Sequence, residues 1–80
     1  MNRQRVRQLM QSILENQGRR HILEESDGLA DIGFRSLDFS ELALRVESEV
    51  GRELIFDASR LREITNVGDV ITFLLEATRA

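Results

Sequence analysis

The sequence predicts an all-α fold, a small bundle of three main helices plus one short helix, with a long first loop. Three observations carry that prediction. Apolar residues recur at three- and four-residue steps in three separate stretches, and each stretch stops or starts at a capping residue, Gly18, Gly51 or Asn66. The one short apolar run with strand character, Glu53-Leu54-Ile55-Phe56, has no second candidate strand to pair with.

In the first helix Val6, Leu9, Met10, Ile13 and Leu14 form the apolar stripe, with arginine and glutamine between them, so the helix is expected over about 3–16. Gly18 serves as its C-terminal stop. A connection over about 18–35 follows, in which Ile22, Leu23, Leu29, Ile32 and Phe34 read as anchors pinning a loop to the core, with room for a short helical turn at 22–25. The second main helix is expected over 36–50. Phe39, Leu42, Ala43, Val46 and Val50 fall on its inner face, and Leu37, Glu41, Leu44 and Ser48 on the opposite one. Residues 53–56 read as a buried loop leading to a brief helix at 58–62. Asn66 is a good N-cap for a last helix over about 66–77, and Asp69 puts negative charge where the helix dipole favours it.

Eighty residues support one small core and hence one domain, 1–80. With 41% hydrophobic and 31% charged residues, the composition is that of a globular chain and not of a disordered one. The absence of cysteine removes disulfides and thiolate metal sites, and His21 alone leaves little for an imidazole-based centre. No apolar run reaches the length of a membrane span or a signal-peptide core, which predicts a cytoplasmic protein.

Charge is unevenly spread. Residues 1–22 hold five arginines against Glu15, residues 24–57 hold ten acids against Arg35, Arg45 and Arg52, and residues 58–80 balance three of each sign. The acidic middle third repels nucleic-acid phosphates and favours basic protein surfaces, so protein partners are expected, with no nucleic acid and no membrane among them. The N-terminal arginines read as the wet face of the first helix.

Within that acidic third, Gly33-Phe34-Arg35-Ser36-Leu37-Asp38-Phe39 places a serine at the start of a helix. A serine there is most often an N-cap. Here Gly33 lets the chain turn into the helix, and Leu37 and Leu44 face outward where an isolated monomer needs no leucine. Asp38 and Glu41 extend an acidic surface beside them, while the helix start and Arg35 suit an anion. A nucleophilic catalytic serine would need a base and an oxyanion hole. Nothing in the sequence brings His21 to Ser36, and the Gly-x-Ser-x-Gly elbow is missing.

These residues resemble the prosthetic-group site of acyl carrier proteins, Gly-x-Asp-Ser-Leu. The likeness extends from the first helix through Leu29-Ala30-Asp31-Ile32-Gly33-Phe34 and Asp38-Phe39-Ser40-Glu41-Leu42 to Ile64-Thr65-Asn66-Val67-Gly68-Asp69-Val70. The resemblance implies a non-catalytic carrier whose Ser36 bears a covalent 4′-phosphopantetheine arm, with cargo held as thioesters on the arm. It further implies a monomer that docks through Arg35, Leu37, Asp38, Glu41, Leu44, Glu47 and Glu49. The implied partners are a phosphopantetheinyl transferase, an acyltransferase or acyl-activating ligase, and a ketosynthase or other pathway enzymes.

One position departs from the family pattern, because Arg35 stands where aspartate usually precedes the serine. The reversed charge suggests dedicated partners, as in a stand-alone carrier of a polyketide or related secondary pathway. An amino-acyl or peptidyl carrier shares the same arm and bundle, and an unmodified helical adaptor with the carrier fold is the reading from another class.

Overall fold

In the computed structural model, which describes residues 1–19 and 23–79, helix α1 spans Arg3–Asn16. The side chain of its N-cap, Asn2, accepts the Arg5 N–H at 2.8 Å. All five residues of the expected stripe, Val6, Leu9, Met10, Ile13 and Leu14, are buried. At the other end Gly18 takes a left-handed φ of 83°. Its N–H donates to the Glu15 carbonyl and that of Arg19 to the Leu14 carbonyl, the paired bonds of a Schellman stop.

A short helix α2, Leu29–Ile32, precedes α3, Ser36–Val50, and α4, Val67–Thr78, closes the fold after a 3-10 helix at Ala58–Glu63. Among the described residues there is no strand, only an antiparallel bridge between Gly28 and Asn66. The fold is the all-α small bundle that the apolar periodicity predicts. α1 packs against both α3 and α4. Leu42 and Val46 of α3 meet Val67, Val70, Ile71 and Leu74 of α4 in one core, with Leu23, Phe34 and Leu54 contributed by connections. Phe39, Phe56 and Phe73 close one end, with centroid separations from 5.2 to 6.4 Å, within the range where ring pairs attract.

The connection over 24–29 is docked on the start of α4. Val67 N–H donates to the Asp27 carbonyl at 3.0 Å and Gly68 N–H to the Glu25 carbonyl at 2.9 Å, while Leu29 N–H donates to Thr65. Asn66 and Asp69 form a reciprocal capping box, and Asp69 also accepts from Thr65. The amides of α4's first turn are thereby satisfied. Arg3 adds a tie from α1, donating to the Glu25 carboxylate and, at 2.9 Å, to Thr72 Oγ1.

Three local expectations change. The long connection carries the α2 turn, because Leu29 and Ile32 both pack on the core from one side of it. Of the helical turn expected at 22–25, residue 22 lies outside the described residues; Asp27 N–H bonds the Glu24 carbonyl at 3.0 Å, a turn and not a helix. In the run 53–56 only Leu54 is buried, its N–H held by Glu47 at 2.9 Å, and Ile55 is 73% exposed. A single anchor suffices where the chain crosses the bundle's surface.

Candidate functional site

The approach to Ser36 is built by a reversal at Gly33. That residue ends α2 with φ 72°, a conformation costly for any side chain with a Cβ. Phe34 N–H then donates to the Leu29 carbonyl at 2.9 Å, and the Phe34 ring is buried, so the chain enters α3 from a fixed direction. Arg35 is the N-cap, in extended backbone with φ −111° and ψ 177°.

Ser36 is therefore the first helical residue and not the cap. An arginine side chain has no acceptor, so α3 is capped only by the returning half of a capping box: the Asp38 carboxylate accepts the Arg35 N–H at 2.8 Å. Ser36 is exposed, and its hydroxyl makes no hydrogen bond among the described residues. Whereas α4 begins with its amides occupied by the 24–29 connection, α3 begins open. The N–H groups of Ser36 and Leu37 have no intrahelical acceptor, as at any helix start, and among the described residues no connection bonds to them. This is a favourable place for an anion, with the exposed Arg35 guanidinium next to it.

A cleft of about 300 Å³ opens beside the hydroxyl. Leu29, Phe34, Phe39, Leu61 and Ile64 supply its apolar walls, and Arg35, Ser36 and Ser40 its polar rim. Among the described residues that line it Arg35 is the sole ionisable one, so these residues offer no carboxylate or imidazole beside the serine. His21 lies outside the described residues. The described residues contain no cluster of histidine and carboxylate side chains able to hold a metal ion.

The candidate docking residues separate into two groups. Leu37 and Leu44 are 84% and 65% exposed, and Glu41 and Ser48 share their outward face as the helical period requires. Glu41 is paired with Arg45 at 2.7 Å, which softens the acidic character of that face. Asp38 is a correction. Instead of extending the acidic surface it is only 7% exposed, with one oxygen on Arg35 N–H and the other accepting from Gln17 Nε2. Glu47 is half-buried and holds Leu54 N–H, so it too has a structural task. Glu49 pairs with Arg5 at 2.8 Å, and the hydrogen bond from that guanidinium holds its carboxyl below the usual range.

Sequence periodicity missed the end of α1. Gln17 and Arg19 flank Gly18 outside the apolar stripe, yet Gln17 reaches Asp38 and Arg19 Nη1 donates to the Ile32 carbonyl at 2.8 Å. No local signal marks either, because both contacts span more than ten residues of chain. No protein-family model matches this sequence, and no curated protein matches it.

Proposed function

We propose that this chain is an acyl carrier protein that bears a 4′-phosphopantetheine arm on Ser36 and presents acyl thioesters to the enzymes of a polyketide or related pathway in the cytoplasm. The observation that carries the reading is the state of Ser36: an exposed hydroxyl, unused in capping, at an open helix start and on the rim of an apolar cleft. A serine kept for structure would be engaged. This one is available to an incoming transferase.

The residues present fit the arm. The hydroxyl is the attachment point, the uncovered first-turn amides and Arg35 suit the negative charge of a phosphodiester, and the cleft walls suit an apolar segment close to it. The arm supplies a thiol, which a chain without cysteine cannot provide itself. Leu37 and Leu44 form a small apolar patch for brief docking, with charges at its edge tuning encounter rate and specificity more than affinity. Arg35 marks the partners as matched to a cation at this point, beginning with the phosphopantetheinyl transferase.

The test is intact mass after incubation with coenzyme A and a broad-specificity transferase, and with transferases of the native host. A gain of one phosphopantetheinyl group that is lost in Ser36→Ala supports the carrier. No gain with any of these enzymes favours an unmodified adaptor.

A further inference from the structure

The segment that presents Ser36 is short, largely exposed and held at both ends by side chains from one distant place. On one side the Arg19 guanidinium donates to the Ile32 carbonyl at 2.8 Å and lies across Gly33, where an added Cβ would fall 1.3 Å from Nη1. On the other side Gln17 Nε2 donates to Asp38, whose second oxygen holds the Arg35 N–H. Gln17 and Arg19 leave the chain on either side of Gly18, whose left-handed turn and Schellman bonds fix the directions in which they depart. Between the two grips lie residues 33–37, of which Phe34 alone is buried.

We infer that the end of α1 is a two-point clasp, with Gln17 and Arg19 acting as positioning residues that hold Ser36 in the geometry its transferase takes up. This rests on the carrier reading. The clasp itself is a physical claim about the segment and can be measured without any transferase. Its energetic logic is pre-organisation. If residues 33–37 sampled several arrangements, a transferase binding one of them would see its affinity reduced by the fraction in that arrangement, while the bound complex would react as before. Loosening the clasp should therefore raise KM and spare kcat.

The variants are Gln17→Met and Arg19→Met, which keep side-chain bulk and remove the donors, their double variant, and Arg19→Lys, which restores a donor. Amide hydrogen exchange of the unmodified protein reads the clasp, and steady-state phosphopantetheinylation with coenzyme A reads its consequence. In the double variant, exchange at Gly33, Phe34 and Arg35, whose N–H groups are hydrogen-bonded, should quicken by about tenfold or more while Val70 and Leu74 keep their protection. KM for the carrier should rise by about three- to tenfold with kcat within about twofold, and Arg19→Lys should lie nearer to wild type than Arg19→Met. The two single variants keep the comparison intact if the double variant loses its fold. Unchanged exchange at Gly33, Phe34 and Arg35 overturns the clasp. Faster exchange with unchanged KM overturns the positioning role while leaving the carrier reading in place. Wild-type protein that accepts no phosphopantetheine overturns the carrier reading, and the positioning role with it, before any variant is compared.

Discussion

Asp38 accepts the Arg35 N–H at 2.8 Å, and by capping α3 from inside the helix it leaves the Ser36 hydroxyl without a structural task. The division of labour is unusual because the N-cap residue, Arg35, contributes no acceptor of its own. It separates what holds the helix start together from what can be modified there.

The first consequence concerns stability. Ser36→Ala should change the unfolding free energy by no more than about 0.5 kcal/mol, as for other exposed positions without partners. Asp38→Ala should cost about 1–2 kcal/mol, because it removes the acceptor that caps the Arg35 N–H and holds Gln17 Nε2. Urea unfolding of the two variants checks the contrast, and a Ser36→Ala loss as large as that of Asp38→Ala would return the serine to a capping role.

Arg35 occupies a position where an acidic side chain would cap the helix and complement its dipole. Arg35→Asp should therefore raise stability by about 0.5–1 kcal/mol. In transferase assays the same variant should be modified faster by a generic enzyme and should weaken at least one native partner. Equal rates for both proteins across all partners would remove Arg35 as a specificity element.

Gly33 and Gly51 both adopt positive φ, at 72° and 75°, but only Gly33 has a neighbour where its Cβ would go. Alanine at Gly51 should cost about 1–2 kcal/mol for the left-handed backbone alone, and alanine at Gly33 more, since Arg19 must also swing away from Ile32. In an Arg19→Met background the excess at Gly33 should shrink, and a double-mutant cycle measures it.

Acid should loosen the junction between the 24–29 connection and α4. The hydrogen bond from Arg3 holds the Glu25 carboxyl below its ordinary range, and the Thr65 N–H does the same for Asp69, aided by Asn66. Both groups are thus harder to protonate folded than unfolded. Their contribution is complete above the ordinary carboxylate pKa of about 4 and is lost as pH falls through the lower folded values. Thermal unfolding should show the Tm gap between wild type and Asp69→Asn present at pH 7 and closing below about pH 4.

Core and surface leucines of α3 should behave oppositely. Leu42 is fully buried, and Leu42→Ala should destabilise by about 2–5 kcal/mol. Leu44→Ala should leave stability within about 0.5 kcal/mol of wild type, with any effect confined to partner docking.

Much of this molecule is legible in the order of its residues, for local reasons. The stripe from Val6 to Leu14, the stop at Gly18, the helix Ser36–Val50 with its stop at Gly51 and the Asn66 cap follow from side-chain period and backbone preference, which act over a few residues and are written in the chain at that scale. So are the exposure of Leu37 and Leu44 and the marking of Ser36 as a helix-start serine. Tertiary structure alone decided that Asp38 points inward, that Glu47 serves Leu54, that Ile55 stays in solvent and that a cleft opens beside Ser36. Each of these depends on what a distant segment brings to the same place. An acidic residue one turn into a helix reads as surface charge until a glutamine 21 residues earlier arrives to receive it.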